Sequence, residues 1–316
     1  MASQYFKPLT IGSRTFSSNL IQGPLAGYSC SAMRKQVDKF GGHAFTTSEM
    51  MSAQHLIQCP THSVRFHHKD PSESTVCFQL SGRQADILAQ AATQCQLLGA
   101  DIIDLNCGCP QPKIRKKQQG SKQIEDPERL FHLVRQMRQV TQTPLTAKIR
   151  LLPNNMGDNR VTIDVLTQAG VDAITIHART WKDDYTVDCD WQTVKELVAY
   201  SSVPIIVNGS ITTRQQAIDV LQQTQAAGIM ISRAGLGQPW LFKQIFDNQP
   251  LSITQNTKID LFIDHLQSLC KLDGEYKTLL QARSLLKYYF HVPKSVITFT
   301  SLDGLINYCK KSFSDL

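Results

Sequence analysis

Nowhere in this chain do the ~18–20 consecutive apolar residues of a membrane span occur, so an integral membrane protein is excluded at the level of helices. The first 20 residues hold no cationic stretch followed by an apolar run, so no secretory signal is expected and the cytosol is the expected compartment. Low-complexity tracts and short repeats are also missing. With 316 residues, 41% of them hydrophobic, the chain is no disordered polymer and no disulfide mini-protein, and it suffices for one large domain and a small one. The nine cysteines are odd in number and irregular in spacing, and several lie in apolar runs, as Cys77 does in TVCFQL. A disulfide framework is therefore not expected, and a reducing compartment fits. Only Cys107 and Cys109 are close enough in sequence to share a site. The net charge of +7 admits a polyanionic partner but does not by itself demand one. Nothing calls for a protein partner, and a monomer is the expectation.

What is present is a recurring unit: a brief β-branched run, a turn, then a helix-like stretch. The runs fall at 19–23, 44–48, 75–80, 101–106, 144–151, 173–177, 204–208 and 228–232. Segments such as IIDLN, AITIHA, PIIVNG and GIMIS are short and apolar on both faces, as buried parallel strands covered by helices must be. Helical stretches between them include 83–98, 127–140, 190–200 and 213–223. Eight strand–helix units in roughly 240 residues match a (β/α)8 TIM barrel better than an open doubly wound sheet. No G-x-G-x-x-G follows the first run, as the open sheet would require. Barrel chemistry gathers where strands end. Those ends carry Pro24, Glu49, Gln79, residues 106–109, Lys148, His177, Asn208 and Arg233. The chain changes character near residue 250, where 259–272, 279–290 and 301–313 read as amphipathic helices. The expected organisation is an α/β TIM-barrel domain over 1–246 and a small C-terminal helical domain over 247–316.

Asn106-Cys107-Gly108-Cys109-Pro110 closes the fourth run. Gly and Pro around a cysteine make a tight turn that holds a thiol at the barrel rim, where it can serve as nucleophile, metal ligand or general acid. Two cysteines in C-x-C are no zinc site without two more ligands, and two packed thiols on a loop are the plain alternative. Lys148 ends an otherwise apolar strand in LTAKIRL; burying it unpaired is costly, so it calls for an anion or a polarised ligand unless it snorkels to solvent. Asn208-Gly209-Ser210 and Ser232-Arg233 end the seventh and eighth runs, where such barrels commonly grip a phosphate. His177 and Arg179 end the sixth run; a neutral imidazole there could bond a ligand, although a lone histidine is usually structural. Lys113, Arg115 and Lys116, directly after the cysteine turn, are placed to meet the phosphates of a nucleic acid, if they are not merely a solvated face.

Together these stretches resemble the tRNA-dihydrouridine synthases, especially the bacterial B-type enzymes, over about residues 9–290. The matching segments are GPLAG at 23–27, TTSEM at 46–50, FQLSG at 78–82, DIIDLNCGCPQPKIRKKQQGS at 101–121, LTAKIRL at 145–151, ITIHART at 174–180, IIVNGSI at 205–211 and GIMISRAGLGQPWLF at 228–242. The resemblance implies an FMN-binding barrel, a helical tRNA-binding domain and NADPH as reductant. It implies hydride delivery to C6 of a uridine and protonation of C5 by Cys109, the cysteine of the GCP motif, with no such role for Cys107. It implies that Asn106 contacts the uracil, that Pro24, Leu25 and Ala26 lie along the isoalloxazine ring, and that Gln79 and Lys148 bond its polar edge. His177, Asn208, Gly209, Ser210, Ser232 and Arg233 would surround the flavin phosphate.

The chain also departs from that pattern. Ser210 stands where an acid is usual, and Ser232 where a glycine is. GSKQI at 120–124 replaces a small apolar segment, and Lys122 and Gln123 are expected to bear on substrate binding. A basic–His pair expected after Arg283 is replaced by Ser284 and Leu285. Two alternatives stay open on the sequence: an FMN barrel acting on a small pyrimidine-like molecule, and a non-catalytic tRNA-binding relative.

Overall fold

The computed structural model describes residues 4–290 and 299–313. Eight parallel strands run Leu20–Gln22, Phe45–Thr47, Val76–Ser81, Ile102–Cys107, Leu145–Leu151, Ala173–Thr180, Ile205–Asn208 and Gly228–Ile231. Each pairs with the next, and the eighth pairs with the first through Ile229 opposite Leu20, so the sheet closes on itself. The barrel expected from the spacing is therefore the fold. A two-residue strand, Met51–Ser52, adds to the third strand past the end of the second. Helices Ser31–Phe40, Ala85–Leu97, Pro127–Val140, Asn159–Ala169, Trp191–Tyr200 and Arg214–Thr224 pack outside. Several begin on side-chain caps that their sequences announce: Asp126 before Pro127, Asp158, Asp190 and Thr213 each accept a backbone N–H of the first turn.

Successive side chains of a strand point to opposite faces, so each barrel strand sorts its residues between the helix layer and the interior. Leu105, Cys107, Ala147, Ile149, Ile174 and Ile176 join the core under the helices. Ile21, Phe45, Cys77, Ile102, Ala173, Ile206 and Met230 fill the interior near the strand starts. The interior alternates on toward polar residues: Gln79, Asp104, Thr146 and Thr175, then Asn106, Lys148, His177 and Asn208. The barrel is thus oily at one end and hydrophilic at the other. A hairpin that the sequence pattern does not reveal, Leu9–Ile11 with Arg14–Phe16, closes the oily end with Leu9, Ile11 and Phe16. Its strands are three residues each, too short to register as periodicity.

Helices Gln255–Asp273, Glu275–Phe290 and Leu302–Phe313 form a second core with Trp240 and the turn at Cys30. His265 lies buried in it, 3.1 Å from the Tyr289 hydroxyl through Nδ1. Burial holds this imidazole down to about 3. The unfolded chain takes up the same proton near pH ~6.5, so below that pH the unfolded state binds more protons and stability falls, by roughly 1.4 kcal/mol per pH unit until the folded group titrates too. Urea unfolding at pH 7, 6 and 5 should therefore show a slope that is shallower by about that amount in His265→Gln; parallel slopes would assign the loss to other groups.

Candidate active site

At the hydrophilic end, the turn after the fourth strand sets two cysteines in opposite environments. Cys107 is the last strand residue and faces the helix layer; it is fully buried and its Sγ lies 3.2 Å from Gln123 Oε1. Burial pushes its thiol well above the usual range, so it stays protonated and inert. Cys109 lies past the turn and is half-buried. Asn106 fixes that turn, because its Oδ1 accepts the backbone N–H groups of Gly108 at 3.3 Å and Cys109 at 3.0 Å. Gly120 closes over the turn at φ 60°, and a Cβ there would meet the Cys109 carbonyl at 2.6 Å, so only glycine fits. Gln123 and Lys122, expected to bear on substrate binding, have partners within the protein. Gln123 is buried and donates to the Gly82 carbonyl, and Lys122 pairs with Glu125 in the wall beneath the loop. Cys107→Ala should leave turnover unchanged and lower stability by about 1 kcal/mol, the worth of one buried hydrogen bond and a little packing; a large fall in kcat with stability intact would exchange the roles of the two thiols.

The fifth to eighth strands build a cationic rim. Lys148 donates from Nζ to Asn208 Oδ1 at 3.0 Å, and Asn208 donates to the Met230 carbonyl at 2.8 Å. Burial, and then the charge of Arg150, pull the Lys148 ammonium down to about 8. Arg150 and Arg179 are buried. Arg150 donates to the carbonyls of Thr180 at 2.7 Å and Asp183 at 3.3 Å; Arg179 donates to Val187 O at 2.5 Å and Ser210 Oγ at 2.8 Å. Exposed Arg233 lies 3.7 Å over the Tyr185 ring. Among the described residues none of these four cations forms a salt bridge. They converge on His177, whose imidazole is held down to about 2 by burial and then by Lys148, Arg150, Arg179 and Arg233. His177 is neutral at any working pH. A guanidinium only donates, so the 3.3 Å contact with Arg179 makes His177 Nε2 the acceptor. The pairing of the fifth and sixth strands shifts register here, from Arg150 opposite His177 to Leu151 opposite Thr180. Gly209, at φ 146°, has no room for a Cβ, which would lie 2.5 Å from Cys189 Sγ.

A family model described as dihydrouridine synthase (Dus) matches residues 21–301. The chain belongs to the dihydrouridine synthase family. A probable tRNA-dihydrouridine synthase 1 of Synechocystis sp. is 32% identical over 295 residues, covering 90% of this chain and 81% of that protein. A tRNA-dihydrouridine synthase B of Pseudomonas syringae pv. tomato is 30% identical over 286 residues, covering 88% and 84%. A solved histamine dehydrogenase from Rhizobium sp. 4-9 superposes with TM-score 0.59 at 15% identity, over 90% of this chain and 51% of that one, a likeness of fold.

In this dihydrouridine synthase family member the remaining candidates fall in three places. Pro24, Leu25 and Ala26 form the loop after the first strand, half-buried to exposed. Ser232 is half-buried at the end of the eighth strand. Lys113 and Lys116 are exposed on and beside the short helix Pro112–Arg115. Arg115 is already engaged: it donates to Glu125 at 2.7 Å and Ser121 at 2.9 Å and lies 3.5 Å over Trp181. A cavity of about 540 Å³ opens beside Ala26, between that loop and the C-terminal helices, lined also by His62, Arg65, Lys277 and Gln281. Arg65 spans it, donating to Glu49 at 2.8 Å and to Gln281 at 3.1 Å and pairing with Asp273. The sequence alone does not single out Arg65, and it gives Arg150 and Tyr185 no role. Arg150 had a signal, since it lies two residues after Lys148 and so shares its face of the strand.

Proposed function

We propose that this oxidoreductase reduces a uridine of tRNA to 5,6-dihydrouridine in the cytosol, as a monomer. FMN is its resident cofactor, NADPH the reductant, and Cys109 the acid that protonates C5. The observation that carries the reading is the half-buried Cys109 thiol beside a rim in which, among the described residues, Lys148, Arg150, Arg179 and Arg233 form no salt bridge. Arg150 and Arg179 are buried, a buried cation without a salt-bridge partner is costly, and a phosphorylated ligand supplies negative charge at this rim.

The residues present fit FMN. Its phosphate suits Arg233 and the backbone around Gly209, with Arg179, Ser210 and neutral His177 behind. Its ring suits the loop of Pro24, Leu25 and Ala26, with Gln79 and Lys148 toward the polar edge. When bound, the flavin supplies the hydride for uracil C6. Cys109 places a proton on C5 as C6 is reduced, a general acid contribution of about 10²–10⁴-fold in rate. Asn106 holds the Cys109 turn and presents its remaining amide hydrogen to the base. Extrusion of the uridine from its stack costs a few kcal/mol. Exposed Lys113 and Lys116 beside the mouth offset that through phosphate contacts, with Arg115, paired to Glu125, adding its charge behind them, and the C-terminal helices hold the rest of the tRNA.

Purified protein should carry a flavin spectrum that NADPH bleaches and unmodified tRNA restores, with dihydrouridine formed. Turnover of free uracil or orotate without RNA would favour a small-molecule reductase instead. Binding of tRNA with no reduction would favour a non-catalytic relative.

A further inference from the structure

We propose that Asp104 is a positioning residue: its carboxylate orients the Gln79 amide, through it the Asn106 amide, and thereby holds the turn that presents Cys109. The proposal rests on the reading that Cys109 protonates the uridine.

Asp104, Gln79 and Asn106 lie in adjacent interior positions of the third and fourth strands, with Gln79 directly opposite Asp104. All three are buried. A side-chain amide has a donating and an accepting end, so a chain of amides transmits orientation only if both ends of the chain are fixed. At one end, the backbone N–H groups of Gly108 and Cys109 can only donate, which demands Asn106 Oδ1. Asn106 Nδ2 then donates to Gln79 Oε1 at 2.8 Å. Gln79 Nε2 in turn donates to Asp104 Oδ2 at 2.8 Å. At the far end the carboxylate accepts, and its other oxygen accepts from Thr146 Oγ1 at 2.6 Å. Every link runs in the same sense, from the Cys109 backbone to Asp104. With an apolar residue at 104, Gln79 has no acceptor behind it, and a reversed Gln79 would point its amide hydrogens at those of Asn106.

Burial raises the Asp104 carboxyl to about 6, against the hydrogen bonds of Thr146 and Gln79 and the charge of Lys148, so at neutral pH the group is predominantly the accepting carboxylate. The sequence offered a mark as well: Asp104 is the one charged residue in the apolar run IIDLN and stands two residues before Asn106.

The test compares Asp104→Asn, which keeps an oxygen for Gln79 and an amide for Thr146, with Asp104→Leu, which keeps neither. Leucine should lower kcat by about 100-fold, the effect of a misplaced catalytic group, with KM for tRNA within about threefold. Asparagine should stay within about fivefold of wild type in kcat. Independently of turnover and of bound flavin, hydrogen exchange at residues 108–109 should quicken about tenfold in the leucine variant only, with the C-terminal helices unchanged. If leucine prevents folding, Asp104→Ala is read the same way. A leucine or alanine variant with wild-type exchange at 108–109, or a fall in kcat that asparagine does not rescue, overturns the proposal. Wild-type protein that forms no dihydrouridine would instead overturn the assigned reaction, and the exchange comparison would still decide the role of Asp104 in the turn.

Discussion

Cys109→Ala is expected to lower kcat for dihydrouridine formation by about 10²–10⁴-fold while changing tRNA affinity by less than threefold or so. The methyl side chain removes the only proton donor the turn presents and leaves its backbone intact. The hydrogen bonds that shape the turn run from the N–H groups of Gly108 and Cys109 to Asn106, and none depends on the sulfur. Kinetics should therefore separate: kcat falls, KM holds. Single-turnover reduction of unmodified tRNA by prereduced protein measures the chemical step directly. An equal loss of binding would mean that the sulfur packs against the RNA; unchanged turnover would remove Cys109 from the mechanism.

The second large effect is on stability. Arg34, on helix Ser31–Phe40, and Glu73 form a salt bridge in which both side chains are fully buried, with Nε 2.6 Å from Oε1. Arg34 also donates to the carbonyls of Ser29 at 2.9 Å and His68 at 2.6 Å, and Glu73 accepts the Asp70 N–H at 2.7 Å. One ion pair thus ties the segment after the first barrel loop to the segment leading into the third strand. Burial pushes the Glu73 carboxyl up even with Arg34 beside it, so removal of the guanidinium strands a carboxylate. Arg34→Met should destabilise the protein by about 3–5 kcal/mol in urea unfolding, the usual effect of breaking a buried pair. Arg34→Met combined with Glu73→Met should recover much of that loss, because two apolar groups leave no charge to desolvate. A single variant that costs under ~1 kcal/mol would show that water reaches Glu73.

The barrel was legible because buried parallel strands repeat as short apolar runs, and eight of them fit one closed sheet. The cysteine turn and the ends of the seventh and eighth strands were legible because Gly, Pro and Asn mark backbone geometry. What was hidden depends on pairing across the sheet. Nothing in IIDLN says that Asp104 meets Gln79, since that contact follows from a register set by the whole barrel. The duties of Arg150 and Arg179 were hidden likewise, since both hold backbone carbonyls of the loop that follows the sixth strand. Lys122 and Gln123 were legible only as residues beside the cysteine loop; that a turn of 3-10 helix, Gly120–Glu125, buries Gln123 under Cys107 was not. Proximity in sequence to a site does not fix the side from which a side chain meets it.

The most direct test of the whole account is the dihydrouridine content of tRNA from a strain without this activity, complemented with the wild-type chain, with Cys109→Ala or with Cys107→Ala. Dihydrouridine restored by the wild type and by Cys107→Ala, and absent with Cys109→Ala, is the outcome expected if the half-buried Cys109 is the proposed acid and the buried Cys107 is not. No dihydrouridine from the wild type, or full restoration by Cys109→Ala, would contradict it.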